Sequence, residues 1–368
     1  MSNAINLQEI NQEQALHLTK FYCQTNSNIF LFGKSGVGKT ELAIQASKEC
    51  GFQINYLNLS VMERADLMGF PRMNDPGDVI TFKSPYFLPK LVPGVKANTV
   101  LLFDEIDKVP SEITAPLLEI LLFKTINGVP INAVACILTG NLINERAFSN
   151  QISSALLDRG AKYILNFDFQ HWLEWAKNHE VHDLILGFLQ SNPEFACGSA
   201  EDQLYASPSP RGWTLASRAL LKAKALKMTD IDTATQIVSG YVGYEAGLRF
   251  QIWFEYYRKF EPFVHSLIER GNMSLDFSQL IPTEQLVFAI SACYHAKQKM
   301  LADKSKKRFS YLERLCQFFA NYQVATEVQL VGLHSSFSFD QIASHKLYEC
   351  KPFFDLFTRL SEGVSFKK

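Results

Sequence analysis

Ile29-Phe30-Leu31-Phe32-Gly33-Lys34-Ser35-Gly36-Val37-Gly38-Lys39-Thr40 is the stretch that decides the fold. Its first four residues are apolar and read as a short buried strand. The next eight fit G-x-x-x-x-G-K-[ST] at every fixed position. A helical pattern then runs from Lys39 to Cys50 and stops at Gly51. Strand, glycine loop and helix therefore coincide, in a chain where glycine is not abundant (19 of 368 residues). The glycines let the backbone wrap an anion without a Cβ clash. The loop N–H groups and the helix N-terminus then face the phosphates. In this reading Gly33, Lys34, Ser35, Gly36, Val37, Gly38, Lys39 and Thr40 bind ATP. Lys39 reaches the β- and γ-phosphates and the Thr40 hydroxyl ligates Mg²⁺.

On either side of the loop, apolar runs alternate with helical patterns. Residues 7–22 read as a helix, followed by a polar turn at Gln24-Thr25-Asn26-Ser27. Further strands are expected at Gln53–Leu59, Val100–Phe103, Ala133–Leu138 and Ala161–Phe167. Strands that alternate with helices pair in parallel, because each crossover returns the chain to the same edge of the sheet. Residues 1–169 thus read as a three-layer αβα P-loop nucleotide-binding core with a parallel sheet. From His171 the pattern is helix after helix, which divides into a helical region over 170–249 and a helical C-terminal region of unknown role over 250–368.

Thr99-Val100-Leu101-Leu102-Phe103 is an apolar strand ending in Asp104-Glu105, 64 residues after Thr40. A strand end of this kind lies at the carboxyl edge of the sheet, where open α/β sheets bind ligands. Asp104 is the candidate to hold Mg²⁺ through water. Glu105 is the candidate to orient or deprotonate an attacking water. Asp107 reads either as part of this site or as an acid at a helix start.

Composition narrows the choice. Apolar residues are 47% and charged residues 20%, which excludes a disordered chain or a rod. The formal charge of −1 argues against bulk electrostatic coating of nucleic acid. Seven scattered cysteines with no C-x-x-C pair fit a reducing, cytoplasmic setting. No apolar leader and no membrane-length run is read. His171, His179 and His182 lie close together, but nothing completes a metal set, and they read as ordinary histidines. No spacing suggests a Ser/His/Asp or Cys/His nucleophile.

Further positions carry a resemblance. Ile137-Leu138-Thr139-Gly140-Asn141, Ala155-Leu156-Leu157-Asp158-Arg159, Ser209-Pro210-Arg211 with Trp213, and Arg64-Ala65-Asp66-Leu67-Met68-Gly69-Phe70-Pro71 occur in order. Over roughly residues 25–245 the chain resembles AAA+ ATPases of the MoxR and dynein-related branch. The resemblance implies a ring-forming ATPase, usually a hexamer, that hydrolyses ATP to remodel a partner. It implies that Asn141 is the sensor that polarises water with Glu105. Arg159 would be the arginine finger that reaches a neighbour's γ-phosphate, with Arg146 in Asn144-Glu145-Arg146 as the competing position. Arg211 would contact the phosphate from a helical lid. An insert between Gly69 and Lys96 would point toward the pore or upper face, offering Phe70, Arg72, Met73 and Phe82 to a substrate.

Three functions follow as expectations. The first is a chaperone-like remodeller of a protein substrate, working with a separate von Willebrand factor A-like partner. The second is a nucleic-acid-directed motor or restriction subunit of the McrB type, to which the basic cluster Lys304-Ser305-Lys306-Lys307-Arg308 would contribute. The third is a nucleotide-gated scaffold with little turnover. The protein reading leads, because no nucleic-acid module is recognisable.

Overall fold

The computed structural model describes residues 7–73, 80–83, 85, 87–142, 152–179, 181–198, 207–226, 228 and 230–362. The chain divides into two compact units, Met1–Asp168 and Phe169–Lys368.

The first unit runs β1 (Gln8–Ile10), α1 (Gln12–Gln24), β2 (Ile29–Phe32), α2 (Lys39–Glu49), β3 (Gln53–Asn58), α3 (Arg64–Met68), β4 (Phe70–Met73) and β5 (Ile80–Lys83). It continues through β6 (Thr99–Asp104), α4 (Ser111–Phe123), β7 (Thr125–Ile126), β8 (Val129–Pro130), β9 (Ala135–Gly140), α5 (Ser154–Leu157) and β10 (Ala161–Leu165). Six strands form one parallel sheet in the order β1-β10-β2-β9-β6-β3. The central strands β2, β9 and β6 are mostly apolar, show no alternation, and are buried from end to end except at Asp104. That is the pattern of a sheet covered on both faces. On one face Phe30, Phe32, Leu101, Phe103, Cys136 and Leu138 pack with Ile113, Leu117 and Ile120 of α4. Helices α1 and α2 pack on each other and against the sheet strands β9, β6 and β3. The result is the P-loop αβα fold expected from the alternating pattern.

The amino end differs from expectation. The helix read over residues 7–22 begins only at Gln12, and Gln8–Ile10 form an edge strand beside β10. Asn11 is the reason. Its side chain accepts the Gln14 N–H at 2.9 Å, and the Gln14 side chain accepts the Asn11 N–H at 3.1 Å. This reciprocal cap stops the helix from extending backward. The Asn127-Gly128 turn joins β7 to β8, with φ of 49° and 72°, the left-handed pair of a tight hairpin. Strand β5 pairs antiparallel with β4.

The second unit is helical: α6 (Phe169–Asn178), α7 (Asp183–Ser191), α8 (Pro210–Ala225), α9 (Ile231–Val242), α10 (Tyr244–Arg270), α11 (Pro282–Ala302), α12 (Ser310–Asn321), α13 (Thr326–Ser336), α14 (Phe339–Ser344) and α15 (Lys351–Glu362). Aromatic rings dominate its core. Phe188 meets Trp213, Phe250 and Trp253, and Phe288 meets Phe260, Phe277 and Phe318. Rings of this size bury large apolar areas at few points, which suits the wide gaps between crossing helices. No helix among the described residues is long and apolar enough to cross a membrane.

Candidate active site

The glycine loop leaves the carboxyl end of β2 and turns at once into α2. At Gly33 a Cβ would lie 2.6 Å from the Leu165 carbonyl oxygen, so only glycine fits beside β10. Gly38 precedes α2 with φ 97°, a left-handed conformation that exposes the first helical N–H groups to one side. The Lys39 side chain is buried and folds back over the loop. Its ammonium donates to the Gly33 carbonyl at 2.6 Å, the Lys34 carbonyl at 2.8 Å and Asn141 Oδ1 at 3.2 Å.

Sheet register explains why residues distant in sequence meet here. Phe32 of β2 pairs with Gly140 of β9, so the next positions, Gly33 and Asn141, leave the sheet side by side. Phe103 of β6 pairs with Leu138, which puts Asp104 next to Thr139. Asp104 is held by four donors. Its Oδ2 accepts from Thr40 Oγ1 and Tyr56 OH, each at 3.1 Å. Its Oδ1 accepts from the Glu105 N–H at 3.1 Å and from the Thr139 hydroxyl. Thr40 and Asp104 thus present hard oxygen donors side by side, the set that Mg²⁺ takes.

Glu105 sits at φ 61°, a left-handed conformation that is strained for a side chain with a Cβ. Its carboxylate pairs with Lys108 at 2.8 Å. Asp107 is buried and accepts the Asn141 N–H at 2.9 Å and the Asn141 side-chain amide at 3.3 Å. It therefore orients Asn141, the residue whose other amide atom faces Lys39. Tyr56, Thr139 and Asp107 are the supporting residues that sequence reading left without this role. Thr139 was visible within Ile137–Asn141, but only the strand register shows which carboxylate it serves. Burial pushes the thiols of Cys23 up to about 12 and Cys136 up to about 11, so neither is a nucleophile at neutral pH.

Not every candidate converges on the loop. Arg159 lies at the opposite edge of the sheet, just before β10 begins beside Ile29. The four residues of β2 alone separate the two edges by about 13 Å. The Arg159 carbonyl accepts from Asn28 Nδ2 at 2.8 Å, and its Nε has no hydrogen-bond partner among the described residues. Gly160 follows because a Cβ there would lie 2.7 Å from the Asn28 carbonyl oxygen. Arg211 is exposed in the first turn of α8, in the second unit; Ser209 caps that helix by accepting the Gly212 N–H at 3.0 Å. Trp213 is fully buried there and donates to the Phe195 carbonyl at 2.7 Å. Arg146 lies outside the described residues. In the hairpin of the insert, Phe70, Arg72 and Phe82 are exposed.

No curated protein matches the sequence. Among solved structures, the Thermotoga maritima RuvB Holliday junction branch migration motor shares 12% identity, with 73% of this chain and 72% of that chain covered and a TM-score of 0.32. A protein of Cytophaga hutchinsonii described as a candidate ATPase shares 15% identity over 94% of this chain and 88% of its own, with a TM-score of 0.33. Likenesses this loose say nothing of what the chain does. Residues 28–159, which carry the glycine loop, Asp104, Asn141 and Arg159, match the family described as AAA domain (dynein-related subfamily).

Proposed function

We propose that the chain is a Mg-ATP-dependent AAA+ ATPase that assembles into a ring, of hexamer type, and remodels a protein partner in the manner of MoxR-like chaperones. The observation that carries this reading is the meeting of Lys39, Thr40, Asp104 and Asn141 at one edge of the sheet. The loop N–H groups and Lys39 bind the phosphates. Thr40 and, through water, Asp104 would hold Mg²⁺, which when bound neutralises charge on the β- and γ-phosphate oxygens. Glu105 accepts a proton from the attacking water, and Asn141, held by Asp107, orients that water. The water oxygen bonds to the γ-phosphorus as the bond to the ADP oxygen breaks. No covalent intermediate on the protein is needed, so the chain's task is placement and charge.

Arg159 supports the ring. It stands across the sheet from its own glycine loop, and in this reading it would serve the phosphates of a neighbouring copy. Turnover per chain should therefore rise with protein concentration. Arg211 is assigned to the phosphate from the helical lid, and the exposed Phe70, Arg72 and Phe82 to the protein substrate. A separate von Willebrand factor A-like protein is the partner this reading names.

Phosphate release and binding of a fluorescent ATP analogue test it on the full chain with Mg²⁺. Lys39→Ala should lose nucleotide binding, and Glu105→Gln should bind normally but turn over at least a hundredfold more slowly. Normal turnover in Glu105→Gln, or an unmodified chain that binds no ATP, refutes the reading.

A further inference from the structure

His265 and Glu269 lie one turn apart near the end of α10, so their side chains leave the same helix face. His295 of α11 faces them. His265 Nε2 is 3.2 Å and His295 Nε2 is 3.9 Å from the same oxygen, Glu269 Oε1. The donor atoms of all three residues fall within 4.8 Å of one another. A tetrahedral ion with bonds of about 2.1 Å holds its donors about 3.4 Å apart. The two separations to Glu269 Oε1, 3.2 and 3.9 Å, bracket that figure.

We propose that His265, Glu269 and His295 form a binding site for a divalent transition-metal ion of the zinc class, clasping α10 to α11. Two imidazoles and one carboxylate are a zinc-type ligand set with a fourth position left for water. Mg²⁺ and Ca²⁺ prefer oxygen ligands, so this site differs in metal class from the one at Thr40 and Asp104.

The competing explanation is a polar contact between packed helices. His295 argues against it. Its Nε2 is shielded from solvent and has no hydrogen-bond partner among the described residues. A helix-packing contact would close that bond to Glu269, because buried polar atoms are nearly always satisfied. A cation between the ring nitrogen and the carboxylate satisfies the nitrogen and takes over the charge that Lys299 now balances. Lys299, one turn beyond His295, now places its ammonium on Glu269 Oε1. It sits where positive charge is wanted, and its partly exposed four-carbon stem can withdraw to water. Lys224 also acts on His295, and Arg314 donates to the Ile268 and Glu269 carbonyls at 2.8 and 2.7 Å. Lys224 and Arg314 weaken the site without occupying its donors, whereas Lys299 must leave Glu269 Oε1 for the ion to bind.

The test uses the full chain, stripped with a chelator and free of nucleotide. Co²⁺ is titrated and followed by its visible absorption, with Zn²⁺ as competitor. One Co²⁺ per chain should bind, be displaced by Zn²⁺, and resist a large excess of Mg²⁺. His265→Ala, at a half-exposed position where folding is safe, and His295→Gln should each weaken binding at least tenfold. Lys299→Met should tighten it. Zn²⁺ should also raise the melting midpoint of the unmodified chain by several degrees and leave that of His265→Ala unmoved. If the unmodified chain binds no Co²⁺, or if both histidine variants bind it as the unmodified chain does, the site does not exist. Lys39→Ala should bind Co²⁺ normally, so failure of the ATPase reading would leave this result untouched.

Discussion

Asp107 shows how much of the site depends on one side chain that touches no phosphate. From sequence it is an acid near a helix start, open to two readings. In the fold it is buried, and both its oxygens hold Asn141. Asp107→Ala removes the acceptor for a buried N–H and frees the Asn141 amide to rotate. Losing such a partner costs about 1–3 kcal/mol of stability. In the proposed reaction it should slow phosphate release by about tenfold or more, because orientation is lost. The affinity for a fluorescent ATP analogue should stay within about threefold, since Lys39 and the loop are untouched. Equal losses in binding and turnover would contradict a positioning role. Glu105 illustrates the opposite case. Its acid was legible at the strand end, but its left-handed backbone was not, since nothing in Asp104-Glu105 marks a positive φ.

At the scale of elements, the start of β2 is built around Asn28. Its side-chain amide donates to the Leu121 carbonyl at 2.9 Å and the Arg159 carbonyl at 2.8 Å. Its oxygen accepts from Lys124 Nζ at 2.8 Å and the Cys136 N–H at 3.2 Å. One residue thus ties β2 to the end of α4, the start of β9 and the turn that carries Arg159. Gly160 is the close approach that makes this possible. Gly160→Ala would push a methyl group into the Asn28 carbonyl and the Phe30 ring. Overpacking of that kind costs about 1–3 kcal/mol. We expect a lower melting midpoint for the first unit by circular dichroism, with nucleotide binding retained. A midpoint unchanged within error would show that the turn yields freely. Asn28 was unreadable in advance, because a polar residue before an apolar strand looks like any strand boundary. The Asn127-Gly128 turn is a local feature by contrast, because its two residues are among the few that accept left-handed φ without strain.

For the whole molecule, the response to acid is set by a few buried groups of the second unit and not by net charge. All four tryptophans, Trp172, Trp175, Trp213 and Trp253, lie in the second unit, so their fluorescence reports its unfolding. Burial, helped by the Lys224 and Lys297 charges, holds His182 down to about 4, and its Nδ1 accepts the Leu184 N–H at 3.2 Å. Burial, with Lys177 nearby, likewise holds His334 down to about 4. Burial pushes Asp183 up to about 6 against the attraction of Lys297. For the histidines the unfolded chain takes up protons first, so their stabilisation is complete above pH about 6.5 and is lost as pH falls toward 4. Asp183 has the opposite sign, since the folded state takes up its proton first, and it offsets one histidine. The net loss between pH 7 and 4.5 should be on the order of 2 kcal/mol, read as a lower urea midpoint of tryptophan fluorescence. His182→Gln together with His334→Gln should flatten that dependence; an unchanged slope would place the proton uptake elsewhere. What the amino-acid order alone determined was the glycine loop between β2 and α2, the carboxylates at the end of β6 and the parallel αβα core. Those depend on short-range rules: glycine where the backbone turns tightly, apolar runs in covered strands, acids at strand ends. Only the tertiary structure decided which residues support Asp104 and Asn141, on which edge Arg159 stands, and that two histidines 30 positions apart share one glutamate. Sheet register and helix packing bring those groups together, and neither is written in the local spacing of any one segment.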